Sequence, residues 1–103
     1  MLKSIERTRS GIAAICRRYG VRRLEIFGSA ARGVDFDPEL SDVDFLVQFD
    51  TGDRDEPLEQ FFGLSESLQS LLGRPVDLVE LDAVTNPFIL ADIDRSRELV
   101  YAA

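Results

Sequence analysis

The sequence has 103 residues, a net charge of −7, no histidine and a single cysteine, Cys16. This length suits one hydrophobic core, so we expect residues 1–103 to form a single domain. The absence of histidine excludes a Ser-His-Asp triad, a Cys-His pair and an ordinary zinc site, and a single cysteine excludes an internal disulfide. No apolar run approaches the ~18 residues of a membrane span, and the N-terminus lacks the apolar centre of a signal peptide, which predicts a cytoplasmic protein with no membrane contact.

The charged residues are unevenly distributed along the chain. Residues 1–33 contain eight Arg or Lys and two acids (net +6), whereas residues 34–103 contain four Arg or Lys and seventeen acids (net −13). A strongly acidic domain does not hold a polynucleotide by neutralising its phosphates, so stable nucleic-acid binding is not expected. A mononucleotide needs only one basic patch and remains compatible with this charge.

The first half of the chain predicts one helix and two strands. The helix covers residues 2–19, because apolar side chains recur at helical spacing, and it ends at Gly20, which can adopt the left-handed cap conformation. A strand over residues 21–27 follows and runs into a turn at Gly28. Residues 42–49 predict a second strand with alternating faces. Its core face holds Val43, Phe45 and Val47, and its other face holds Asp42, Asp44, Leu46 and Gln48.

The second half predicts two helices and two strands. A helix begins after an acidic N-cap at Asp55 and ends at Gly73. A third strand over residues 76–81, a helix opened by Asn86 and Pro87, and a short terminal strand over residues 99–101 complete the chain. This order predicts an α/β (α+β) fold with a small mixed β-sheet flanked by helices. The apolar stripe predicted for the first of these helices comprises Leu58, Phe61, Phe62, Leu68, Leu71 and Leu72.

Asp42 and Asp44 stand two residues apart in an otherwise apolar run. Strand side chains alternate between faces, so both carboxylates are expected on one side of the strand, about 7 Å apart. Ionised carboxylates at that distance repel unless a cation lies between them, and oxygen-rich pairs suit Mg²⁺ or Mn²⁺. Asp77 stands in a similar setting on the third strand, where β-propensity disfavours an acid. A solvated cap is the alternative for Asp42 alone, whereas the acids within two strands favour a metal site.

The stretch Gly28-Ser29-Ala30-Ala31-Arg32-Gly33 follows the first strand. If Ala30 begins a helical turn, free backbone N–H groups point at an anion, with the Ser29 hydroxyl and the Arg32 charge beside them. An ordinary strand-to-helix turn is the alternative for this stretch. It is neither a Walker A loop nor a dinucleotide-binding glycine motif. A phosphate cradle next to a paired-carboxylate metal site is what transfer of a nucleotidyl or phosphoryl group requires.

The glycine turn, followed by Ser41-Asp42-Val43-Asp44, resembles the signature of the minimal nucleotidyltransferases of the DNA polymerase beta superfamily. The resemblance covers most of the chain and implies the nucleotidyltransferase fold, with ATP as the donor substrate. Two departures are a longer spacer over residues 34–40 and a small side chain at Ala30. The implied ligands of one or two Mg²⁺ (or Mn²⁺) ions, and catalytic residues, are Asp42, Asp44 and a third carboxylate, Asp77. The implied nucleotide contacts are Gly28, Ser29, Arg32, Gly33 and Ser41.

The resemblance also implies a partner. Small members of this family are often encoded beside a HEPN-domain toxin and act as its antitoxin, so the implied reaction transfers AMP to a hydroxyl of that toxin. Two alternatives remain: a nucleotide-binding antitoxin that acts by complex formation alone, and a nucleotidyltransferase for a small molecule, which the absence of room for a substrate domain disfavours. Glu80 and Asp82 lie close enough in sequence to Asp77 to serve as the third carboxylate instead.

Overall fold

The computed structural model describes residues 3–28, 43–50 and 56–103, which form a four-stranded mixed sheet. The strands are β1 (Val21–Phe27), β2 (Val43–Phe49), β3 (Val76–Glu80) and β4 (Glu98–Ala102), in the spatial order β3-β2-β1-β4. β1 pairs antiparallel with β2 and with β4, whereas β2 pairs parallel with β3. The predicted mixed α/β architecture is therefore confirmed. The third strand ends at Glu80 rather than Leu81, because the chain turns there into a 3₁₀-helix over Leu81–Ala83.

Four α-helices accompany the sheet within the described segments: α1 (Lys3–Arg7), α2 (Arg9–Arg18), α3 (Pro57–Leu72) and α4 (Pro87–Asp94). None of them is long and apolar enough to cross a membrane.

The predicted single helix over residues 2–19 is wrong in detail, because the helix is interrupted at Thr8 and ends at Arg18. The Thr8 hydroxyl donates to the carbonyl of Ser4 at 2.6 Å, a local bond that competes with regular helix geometry. Gly20 adopts φ +67°, as the cap prediction required.

The core lies between one face of the sheet and helices α1, α2 and α3. β2 contributes Val43, Phe45 and Val47, which are fully buried as predicted. The helices contribute Ile5, Ile12, Cys16, Leu64 and Leu68 to the same cluster. Leu46 points to the opposite face by strand alternation and is also buried. The second face of the sheet is therefore also covered at Leu46, and Asp44 lies on this face.

The stripe predicted for α3 is partly wrong. Leu58 and Phe62 are 73% and 59% exposed, and Leu71 is also exposed, whereas Leu64, which the prediction omitted, is fully buried. Residues 61, 64, 68 and 72 fall on one side of a 3.6-residue helix, and Phe62 lies about 100° away from Phe61. Only Phe61 of this aromatic pair packs against the core; the two rings meet edge to face, 5.6 Å apart.

The ends of α3 and α4 follow their sequence signals closely. Glu56 is the N-cap of α3 and Pro57 its first residue, while the predicted cap Asp55 lies outside the described residues. Gly73 ends α3 with φ +67°. Asn86 caps α4 through its side-chain oxygen, which accepts from the backbone N–H groups of Phe88 and Ile89. The predicted opening of this helix is thus confirmed.

An ion-pair network around the buried Glu25 joins the segment after α4 to β1, an inner strand of the sheet. Glu25 on β1 is only 3% exposed and accepts hydrogen bonds from Arg97 Nε and Nη2, each at 2.7 Å, and from Arg23 Nε at 2.8 Å. Arg97 Nη1 also donates to Asp94 at 2.7 Å. The hydrogen bonds from Arg97 are the main cause that lowers the pKa of Glu25 below its ordinary value, and burial opposes them.

We predict that this network makes the fold sensitive to acid. The pKa of Glu25 is lower in the folded state than in the unfolded state, where it is about 4.3. The contribution of Glu25 to the free energy of unfolding is therefore complete above its unfolded-state pKa and is lost as pH falls through its folded-state pKa. Glu25→Gln should lower the free energy of unfolding at neutral pH by about 2 kcal/mol and flatten its dependence on pH below about 5. Denaturant titration across this pH range measures both effects.

Asp92→Asn is the matched control, because Asp92 forms an exposed ion pair with Arg95 at 3.3 Å. Exposed pairs contribute about 0–1 kcal/mol, so this variant should follow the wild type at every pH. Equal losses in the two variants would contradict a special role for the buried pair.

Candidate functional site

A cleft of about 630 Å³ lies between α4 and the face of the sheet opposite the core. Its volume is within the range of about 300–1,000 Å³ that is typical of small-molecule sites. Its polar lining consists of Gly28, Asp44, Asp77, Asp92 and Ser96. Its apolar lining consists of Phe27, Val79, Phe88, Ile89 and Ile93. One cleft thus contains three acidic side chains and an apolar surface.

Asp44 and Asp77 are brought side by side by the pairing of β2 with β3. They are direct register partners in this parallel ladder, and adjacent strands lie about 4.8 Å apart. Both side chains line the cleft; Asp44 is half-buried and Asp77 is exposed. Glu80 is paired with Val47, so alternation directs it to the other face, and Asp82 lies in the 3₁₀-helix beyond the strand. Among the candidates for the third carboxylate, Asp77 is the one beside Asp44.

Gly28 approaches Asp44 too closely for any other residue to fit without movement. Its φ is +71°, and a Cβ at this position would come within 2.9 Å of Asp44 Oδ2. Its backbone N–H donates to Ser96 Oγ at 2.9 Å. The turn expected to bind phosphate is therefore fixed at its first residue by the segment that follows α4.

Several predicted site residues lie outside the described residues: Ser29, Arg32, Gly33, Ser41 and Asp42. Their roles stay predictions. Of the predicted set, the structure brings Gly28, Asp44 and Asp77 together at one cleft.

Sequence reasoning missed the contribution of α4 to this cleft. Ser96 carries no motif, and its bond to Gly28 joins residues 68 positions apart. Phe88 and Ile89 offered a signal, because a short helix with so many apolar residues cannot bury all of them on one face. Asp92, one turn after Phe88, was likewise not singled out.

The acids fit a hard divalent cation. Two adjacent carboxylates repel in the ionised state, and Mg²⁺ is commonly held by one or two carboxylates together with water and substrate phosphates. Within residues 3–28, 43–50 and 56–103, no three acidic, cysteine or histidine side chains are grouped to hold a metal ion by themselves. The site of Asp44 and Asp77 therefore suits an ion that takes its remaining ligands from elsewhere, and Asp42 is predicted to provide one.

Comparison with known proteins identifies the family of the chain. The family model described as nucleotidyltransferase domain matches residues 9–100. The chain belongs to this family. A protein of Methanocaldococcus jannaschii that is assigned as a protein adenylyltransferase is 41% identical over 85 residues, which cover 82% of this chain and 79% of that protein.

Solved structures share the nucleotidyltransferase fold. A structure assigned as a minimal nucleotidyltransferase superposes with a TM-score of 0.75 at 31% identity, covering 93% of this chain and 92% of the other. A chain of the complex between a tri-AMPylated Shewanella oneidensis HEPN toxin and its MNT antitoxin superposes with a TM-score of 0.65 at 18% identity, covering 96% and 73%. At this lower identity the second match shows the fold alone.

We predict that adding a side chain at Gly28 disturbs the nucleotidyltransferase site as well as the backbone. Gly28→Ala and Gly73→Ala both place a Cβ on a left-handed residue, at a cost of about 1–2 kcal/mol each. Gly73 has open space around it, whereas Gly28 faces Asp44. Only Gly28→Ala should therefore displace the Asp44 carboxylate and weaken Mn²⁺ binding.

Denaturant unfolding and titration with Mn²⁺ followed by electron paramagnetic resonance measure the two effects separately. Similar stability losses with a selective loss of Mn²⁺ affinity in Gly28→Ala are expected. Unchanged Mn²⁺ affinity in that variant would show that the close approach has no consequence for the site.

Proposed function

We propose that this nucleotidyltransferase domain transfers AMP from ATP to a hydroxyl of a HEPN-domain partner and thereby acts as an antitoxin. The observation that supports the proposal most is the placement of Asp44 beside Asp77 at a cleft that also includes Gly28. The name of the M. jannaschii relative, protein adenylyltransferase, supports ATP as donor and a protein as acceptor. The reaction draws on ATP and Mg²⁺, which the cytoplasm supplies.

The acids have a positioning and charge role in this reaction. Asp44, Asp77 and the predicted ligand Asp42 would hold one or two Mg²⁺ ions, which when bound polarise the α-phosphate and neutralise the departing pyrophosphate. The acceptor oxygen forms a bond to the α-phosphorus while the bond to pyrophosphate breaks, and the hydroxyl proton is lost to solvent. Ser29, Arg32, Gly33 and Ser41 are the predicted contacts of the triphosphate.

An open cleft favours a macromolecular acceptor over a small molecule. Asp77 is exposed and Phe88 is 84% exposed, so neither side of the cleft is closed by the described residues. A small molecule gains most from an enclosed pocket, whereas a protein brings its own surface to cover the reacting groups. The shared fold of the MNT antitoxin described above is consistent with a HEPN toxin as this partner.

The proposal is tested by co-expressing the chain with a HEPN-domain protein, purifying the complex and incubating it with ATP and Mg²⁺. Intact-mass analysis of the partner should show the addition of one or more AMP groups by the wild type. Asp44→Asn and Asp77→Asn should each slow the reaction by roughly 10²–10³, because each removes a charge that stabilises the transition state without removing volume. Glu66→Gln, an exposed change on α3, is the control and should react like the wild type.

Two outcomes would contradict the proposal in different ways. Equal rates in the wild type and in both Asp variants would exclude Asp44 and Asp77 from the chemistry. A stable complex with neutralised toxin but no AMP transfer by the wild type would replace the enzyme with an antitoxin that acts by binding alone.

A further inference from the structure

The first turn of α4 places two apolar side chains on the cleft. The Asn86 side chain accepts from the backbone N–H groups of Phe88 and Ile89, at 2.9 and 3.4 Å, and so fixes this turn. Ile93, one turn after Ile89, is buried. The helix is therefore anchored at its C-terminal half, while its N-terminal half presents an aromatic ring at the cleft edge.

Among the described residues, Phe88 is the most exposed of the large apolar side chains. Phe88 is 84% exposed and Ile89 is 51% exposed, and both line the cleft that contains Asp44 and Asp77. Burying an exposed aromatic side chain yields about 1.5–3 kcal/mol, so a ligand that covers Phe88 would gain affinity. The other aromatic ring of the cleft lining, Phe27, is half-buried at the end of β1 and offers less free surface.

A nucleoside triphosphate matches both parts of this cleft. Its phosphates require cations and suit the end with the paired carboxylates, and its base is a flat ring that stacks on aromatic side chains. The volume of about 630 Å³ suits this nucleotide donor, and the open side of the cleft remains free for the protein acceptor.

We propose that Phe88, supported by Ile89, is the nucleobase-stacking wall of this cleft, with the triphosphate directed toward Asp44 and Asp77. This inference rests on the proposed function, because it requires a nucleotide to bind beside the acids. Stacking on a ring is tolerant of base identity, since every base has a π-face. The wall therefore gives affinity for a nucleoside triphosphate and little discrimination between ATP and GTP.

The experiment compares two ligands that differ by the nucleoside. Calorimetric titration with ATP and with inorganic tripolyphosphate, both with Mg²⁺, is carried out on the wild type, Phe88→Ala, Phe88→Tyr and Phe62→Ala. Phe62 is the matched control, because it is an exposed phenylalanine on α3 that does not line the cleft. Phe88→Ala should weaken ATP binding about tenfold, within the roughly 5- to 150-fold range for a stacked base, and leave tripolyphosphate binding unchanged.

Phe88→Tyr and Phe62→Ala should bind both ligands like the wild type. Wild-type ATP affinity in Phe88→Ala, or an equal loss for ATP and tripolyphosphate, would overturn the stacking role while the proposed function stands. Wild-type ATP affinity with loss of the HEPN complex in Phe88→Ala would assign the ring to the protein partner instead. Failure of the wild type to bind ATP would overturn the inference and the proposed function together.

Discussion

The parallel register between β2 and β3 is the constraint on which the site depends. It pairs Asp44 with Asp77, and a slip of one residue would turn Asp77 toward the core face. Parallel neighbours need a long crossover, and the chain between them contains α3, which buries Leu64 and Leu68 in the core. Packing of apolar side chains on one face of the sheet therefore fixes the position of the acids on the other face.

Two contacts tie the far side of the cleft to the same sheet. Ser96 accepts the Gly28 N–H, and the adjacent Arg97 binds the buried Glu25 in β1. Both contacts come from the segment directly after α4, so they set where this helix stands over the acids. A buried charge pair adds little net stability compared with apolar packing, but losing one partner is costly. The pair thus connects the cleft wall to β1, and its loss should also lower the stability of the fold.

The sequence was informative where the signal is local. Strand alternation predicted that Asp44 faces away from the core, and Asn86 predicted the start of α4, because both patterns depend on neighbouring residues alone. The interruption of the first helix at Thr8, whose hydroxyl donates to the Ser4 carbonyl, could not be predicted from periodicity.

Features that depend on long-range pairing could not be predicted. The placement of Asp77 directly beside Asp44 required the register of two strands, which hydrophobic pattern alone does not specify. The bond from Gly28 to Ser96 connects distant parts of the chain without a motif. The exposure of Phe62 depends on which side of α3 meets the sheet, and a run of apolar residues on that helix left more than one choice.

The central claim is that Asp44 belongs to a metal site, and scanning calorimetry of the wild type and Asp44→Asn, in EDTA and in Mg²⁺, tests it most directly. A cation that binds only the folded state adds about 2.7 kcal/mol to the free energy of unfolding when its concentration is a hundredfold above its dissociation constant. Each kcal/mol raises the melting temperature of a domain this size by roughly 4–8 °C. The wild type should gain such a shift. Asp44→Asn should melt higher than the wild type in EDTA, because one repulsion is relieved, and gain less from Mg²⁺. An equal response to Mg²⁺ in both proteins would contradict the assignment.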